Sequence, residues 1–150
     1  MEDIFNLKKQ IVVNPTSATS GATITSQIIN ASGYESMTLD VMASTADVVS
    51  DGPSVLKLQE CDTTVSSSFA DVAAFVGGGA SGFTLPAGVT ATTTLVYFSF
   101  NVDLRQRKKY LRMLISPQTT QTYAAIANLG RCQTWPTSAV AQGCSNVVTG

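Results

Sequence analysis

Histidine is absent from all 150 residues. That removes the imidazole base of Ser-His-Asp and Cys-His nucleophiles, and the commonest side-chain ligand of transition metals. Charge is nearly as scarce. Asp, Glu, Lys and Arg together make 13% of the chain, about half the usual share, and the net charge is −1. A chain this neutral has no global field to draw nucleic acid or an anionic membrane. No apolar run reaches the about 20 residues that a spanning helix needs. The start, Met1-Glu2-Asp3-Ile4-Phe5-Asn6-Leu7, is acidic and has no apolar h-region, so synthesis in a cytoplasm without a signal peptide is expected. Only three cysteines occur, Cys61, Cys132 and Cys144, at no zinc-like spacing. The reduced state is the expectation, with a Cys132–Cys144 bridge the one pairing to consider in an oxidising medium.

What fills the space is apolar and hydroxyl-bearing. Hydrophobic residues make up 44% of the chain, and Ser with Thr roughly a quarter. A chain of this length forms one domain that buries about two thirds of its unfolded surface, enough to hold a core without metal or disulfide. Helical periodicity is nearly missing, while period-two alternation recurs. Ile11-Val12-Val13 runs into Asn14-Pro15, read as a turn. Ala22 to Asn30 alternates. Tyr34 to Met42 sets Met37, Leu39 and Val41 on one face against Ser36, Thr38 and Asp40 on the other. Val55–Glu60, Thr92–Val102, Lys109–Ile115 and Thr122–Leu129 complete the strand candidates, with Phe69–Phe75 either a strand or a helical turn. Gly77-Gly78-Gly79-Ala80-Ser81-Gly82 reads as a flexible loop.

About eight short strands separated by Gly, Pro, Ser and Thr turns predict an all-β, single-domain antiparallel sandwich. Spacing alone does not separate a jelly roll from an immunoglobulin-like sandwich. The Cys…Trp…Cys order of the latter is not met, because Trp135 lies between Cys132 and Cys144 near the end. The alternating core spans residues 21–130. Residues 1–20 form an N-terminal arm with the first strand, and 131–150 a tail.

Motifs with chemistry are few. Glu35, Asp40, Glu60 and Asp62 are carboxylates that could serve a glycosidase, but acids at solvated strand ends are the commoner case. Asp47 and Asp51 share a loop without the further ligands that calcium requires. The glycines at 77–82 lack the Lys of a phosphate-binding loop. Asn30-Ala31-Ser32 fits a glycosylation sequon that has no use without secretion. The most distinctive feature is basic: Arg105, Arg107, Lys108, Lys109 and Arg112 supply five of the nine cationic residues. A solvated loop-to-strand junction, a contact with an acidic protein, and a nucleic-acid patch are the three readings, the last the least favoured because no aromatic series accompanies the cluster.

Three segments in order carry a resemblance. They are Gly33-Tyr34-Glu35-Ser36-Met37-Thr38-Leu39, then Leu56-Lys57-Leu58-Gln59-Glu60-Cys61-Asp62 leading to Phe69-Ala70-Asp71-Val72, then Lys108-Lys109-Tyr110-Leu111-Arg112. Together they resemble the pattern of jelly-roll capsid cement (decoration) proteins of tailed bacteriophages, over about residues 21–130. Cys61 stands where that pattern has Ser, and the tail after Leu129 has no counterpart.

The resemblance implies a jelly roll of about eight strands with no catalytic role, no cofactor and no metal. It implies a virion protein on the outer capsid surface that binds the major capsid protein as a homo-oligomer, dimer or trimer, and bridges capsomers. Nucleic acid, membrane and small-molecule substrate are not expected partners. Capsid-contact candidates are Ile4, Phe5, Leu7, Lys8 and Lys9 in an arm over residues 2–13, able to add a strand to a neighbour, and Arg105, Arg107, Lys108 and Lys109 facing an acidic surface. The alternative is a tail, spike or adhesin module that binds a host-surface glycan or protein.

Overall fold

The computed structural model describes residues 8–44, 52–85 and 98–130, and the backbone of 147–149. They fold as an all-β sandwich. One sheet, called A here, has the order β1-β9-β4-β7-β10. The other, B, has the order β2-β8-β5-β6, with β3 also on β8. The strands are β1 (Lys8–Ala18), β2 (Ile24–Thr25), β3 (Ile29–Asn30), β4 (Ser36–Ala43), β5 (Pro53–Cys61), β6 (Ala70–Val76), β7 (Phe98–Asp103), β8 (Tyr110–Pro117), β9 (Gln121–Gly130) and β10 (Val147–Thr149).

The pairing explains the order. β1 pairs with β9, β2 and β3 with β8, β4 with β7, and β5 with β6, all antiparallel. First pairs with last and inner with inner, so the chain is one long antiparallel ribbon rolled up into two sheets. That is jelly-roll topology, with β2 and β3 acting as one interrupted strand. The exception is β10, which lies parallel to β7 and adds a fifth strand to sheet A.

The core lies between the sheets and is built from the alternation read in the sequence. Met37, Leu39 and Val41 of β4 meet Phe98, Phe100 and Val102 of β7, with Tyr123, Ala125, Ala127 and Leu129 of β9 beside them. Leu56 and Leu58 of β5 and Leu111, Met113 and Ile115 of β8 face them from sheet B. Each large side chain so buried stabilises the fold by about 1.5–3 kcal/mol. Phe98 and Phe100 stand edge to face at 4.8 Å, and Phe75 and Phe83 pack on the same pair at 5.7 and 5.2 Å.

Several expectations change. Asn14-Pro15 is not a turn: β1 continues through it, with register shifts on both sides of Val13. Proline lacks a ladder donor, and β1 is an edge strand where that loss is tolerated. Lys8–Val13, expected within an arm over residues 2–13 that adds a strand to a neighbour, are paired in-chain with β9.

Ala22–Asn30 is broken rather than continuous. The hydroxyl of Ser26 takes the Met113 N–H at 2.8 Å in place of a main-chain carbonyl, and the Gln27 N–H turns to Val12 O. Phe69–Phe75 is resolved in favour of a strand, entered from a 3-10 turn at Ser66–Ser68. Gly77–Gly82 is not a slack loop. The N–H groups of Gly77, Gly78, Gly79 and Gly82 all have main-chain acceptors, and Phe83 is returned to the core. The C-terminal segment is more than a tail, since it supplies β10. The first part of Thr92–Val102 lies outside the described residues, as do Asp47, Asp51 and Trp135.

Candidate functional site

The rolled ribbon gathers residues distant in sequence at one end of the sandwich. Lys8 stands opposite Leu129, Leu129 opposite Met37, and Met37 opposite Val102, so β1 begins where β7 ends. The β3–β4, β5–β6 and β7–β8 connections reach the same end. They are tied there by Leu104 N–H to Glu35 O at 2.8 Å and Ala31 N–H to Lys109 O at 2.9 Å. Lys8, Lys9, Arg105, Arg107, Lys108 and Lys109, all named from the sequence, therefore share one surface. Ile4, Phe5 and Leu7 lie outside the described residues, as do Cys132 and Cys144.

Much of that charge is compensated within the molecule. Asp103 caps the 3-10 turn Leu104–Gln106 by accepting the Arg105 N–H at 3.0 Å. Arg105 also closes back on it, Nε to Oδ1 at 2.9 Å and Nη2 to Oδ2 at 2.6 Å. These bonds from the Arg105 side chain and main chain hold the Asp103 carboxyl at a pKa of about 2. Arg107 lies 3.8 Å from Glu60, which also accepts the Lys108 N–H at 3.1 Å, and Lys108 Nζ is 3.7 Å from Asp62. Arg112 turns onto sheet B. It donates to Gln59 Oε1 and Ser66 Oγ, each at 2.8 Å, and lies 4.3 Å from the Phe69 ring centroid.

Three cations have no carboxylate among the described residues. Lys8 and Lys9 carry no ion pair, and Lys109 only leans over the Tyr110 ring at 5.1 Å. Among the described residues, seven cationic side chains (Lys8, Lys9, Arg105, Arg107, Lys108, Lys109, Arg112) meet four carboxylates (Glu35, Glu60, Asp62, Asp103) here, a balance of +3 in a chain of net −1. Elsewhere among the described residues the charges are Lys57 paired with Asp71 at 2.9 Å, and Asp40 bound by Ser99 and Asn128. The acids that neutralise the cluster were legible only as solvated strand ends. Their pairing with Arg107 and Lys108 depends on β5 ending beside the β7–β8 turn.

Other candidates resolve into structural roles. Ser54 and Lys57, a Ser-x-x-Lys spacing missed in the sequence, do not converge, since Ser54 Oγ donates to Ser116 O and Lys57 is held by Asp71. Asn30 uses its side chain in a local turn, accepting the Ser32 N–H at 3.0 Å. Cys61 is a buried free thiol that fills a serine-like role, taking the Thr63 N–H at 3.4 Å, and contact with the Thr63 hydroxyl lowers its pKa. A groove of about 590 Å³ opens between the edges of β1 and β2 and is lined by residues such as Val13, Thr16, Ser17, Thr23, Thr25 and Gln27. Its lining holds neither a charged nor an aromatic side chain, the groups that usually orient a bound ligand.

No family model matches the chain, and no curated protein matches it in sequence. Among solved structures, it is similar to the crystal structure of SPBc2 prophage-derived protein YomS. The identity is 15% and the TM-score 0.42, with 81% of this chain and 94% of that chain covered.

Proposed function

We propose that this protein is a non-enzymatic structural component of a phage virion. In this reading it docks its basic loop end on the acidic outer surface of the head and so ties neighbouring capsomers together. The observation that carries the reading is the convergence of Lys8, Lys9 and Lys109, without carboxylate partners among the described residues, on the end that also holds Arg105, Arg107 and Lys108. The jelly roll agrees with the fold implied by the three sequence segments that resemble cement proteins.

The contact is an end-on one. Addition of a neighbour's strand onto this chain is disfavoured because each described sheet edge is blunted. β1 carries Pro15 and two register shifts, β2 and β3 are two residues each, β6 is bulged against β5, and β10 has three residues. Charge complementarity then sets orientation and association rate, and many weak copies on a symmetric shell act together.

The test is the copy number of this chain in purified virions relative to the major capsid protein. Hundreds of copies in simple proportion to the shell support the reading. A handful places the protein in a tail or fibre, and none in the virion defeats the proposal.

A further inference from the structure

The basic end does not stop at the loops. Lys9 and Ile11 project from the same outer face of β1, because they sit opposite Asn128 and Ile126, and the odd residues of β9 from Tyr123 to Leu129 point inward. Ile11 is 55% exposed, one of two large hydrophobic side chains left in water among the described residues. The register puts Ile126 directly beside it. One row further on, Ala124 and Met42 face each other, both half-buried. The strip Ile11, Ile126, Ala124 and Met42 is therefore apolar. On one side it is bounded by Lys9, and on the other by Asp40, whose carboxylate accepts from Ser99 at 2.8 Å and Asn128 at 3.2 Å.

An isolated exposed isoleucine needs no explanation. An isoleucine set into a small apolar strip, with Lys9 at its border, which has no carboxylate partner among the described residues, and a basic loop end beyond it, has the composition of a protein–protein contact. Such contacts pair a desolvated apolar anchor with a charged rim. The charge sign selects the occupant: a surface that accepts Lys8, Lys9 and Lys109 is acidic.

We infer that the partner contact extends from the loop end onto the outer face of sheet A, with Ile11 and Ile126 inserted into an apolar recess of an acidic protein surface. This rests on the docking function proposed above and adds the anchor to it. The lysines set encounter rate and salt sensitivity. The isoleucines set how long the complex lasts.

The test uses the full chain and purified heads of its phage assembled without it. Ile11→Thr and Ile126→Thr keep a β-branched side chain on the strand and remove the apolar reach, so the fold is retained and is checked by an unchanged Tm. The expected result is at least a tenfold loss of affinity for the heads in Ile11→Thr, carried by faster dissociation, with the dependence on salt the same as wild type. Binding within twofold of wild type overturns the anchor while leaving the docking function standing. Failure of the wild-type chain to bind the heads overturns both. Loss of self-association in sedimentation, with head binding intact, overturns the acidic partner and gives the strip to a second copy of this chain.

Discussion

Glu60 accepts the main-chain N–H of Lys108 at 3.1 Å while its other oxygen faces Arg107 at 3.8 Å. One carboxylate at the end of β5 thus both fixes the β7–β8 turn and cancels part of its charge. Glu60→Gln keeps an acceptor for the N–H and removes the charge. The expected loss of stability is small, about 0.5–1 kcal/mol, because the pair is partly open to water. Binding responds the other way. With one more uncompensated cation at the loop end, association with an acidic surface becomes faster at low salt and more steeply dependent on ionic strength. Association rates measured at two salt concentrations decide it. A variant that binds more slowly than wild type would show that Glu60 itself touches the partner.

Asp103 and Arg105 give a pH prediction. The Arg105 bonds hold the folded carboxyl down to about 2, below its ordinary value of 3.8. A depressed pKa contributes stability that is present above 3.8 and is lost as the pH falls through about 2. Denaturant titrations of wild type and Asp103→Asn therefore differ at pH 5, by under about 1 kcal/mol since Arg105 is exposed, and converge near pH 2. A difference that persists at pH 2 assigns the effect to the lost N-cap geometry rather than to charge.

At the alkaline side the relevant group is Tyr123, fully buried in β9 with its hydroxyl donating to Gln121 Oε1 at 2.6 Å. Burial disfavours the phenolate and raises the pKa from 10.0 to about 12. Here the folded state holds the proton that the unfolded state releases first. Stability is unaffected below pH 10 and falls between 10 and about 12. Tyr123→Phe is expected to cost about 1 kcal/mol at pH 7 for the lost hydrogen bond. It also flattens that alkaline decline relative to wild type. Equal slopes in the two proteins would remove Tyr123 as the cause.

The fold was legible wherever one face of a strand is buried. Met37, Leu39 and Val41 alternate with polar residues in the sequence and fall inward in the structure because period-two patterning is the strand's own geometry. Strand continuity was less legible. Asn14-Pro15 signals a turn locally, but the edge position of β1 removes the cost of the missing donor. Ser26 breaks a well-alternating stretch because its hydroxyl takes the Met113 N–H from across the sheet, a bond that composition does not announce.

The site divides in the same way. Its cations were visible as a cluster in sequence, while their neutralisation by Glu60, Asp62 and Asp103 required the β5 and β7 ends to meet. In the sequence Ile11-Val12-Val13 reads only as an apolar run ending at Asn14-Pro15, with no face assigned to Ile11. The register shift at Val13 turns Val12 and Val13 inward together and leaves Ile11 outside.

The turn Gly77–Gly82 provides the last prediction, because it closes the aromatic cluster. A Cβ at Gly82 would collide with the Val76 carbonyl oxygen, and one at Gly77 with the Leu85 side chain and Leu56 O. The collision at Gly82 is with main chain and has no rotamer to relieve it. Gly82→Ala is expected to cost about 1–3 kcal/mol through backbone displacement. It loosens Phe83, whose N–H bonds Val76 O at 3.4 Å, from Phe98 and Phe100. Gly21 is the control. Its φ of +75° also favours glycine, but a Cβ there meets nothing within 4 Å. Gly21→Ala then carries only the left-handed backbone cost, about 1 kcal/mol, and leaves the aromatic packing alone. Thermal midpoints rank the two variants, and the near-ultraviolet circular dichroism of the phenylalanines should change in Gly82→Ala alone. If both variants lose the same stability with unaltered aromatic signals, the turn tolerates a Cβ and its glycines serve conformation only.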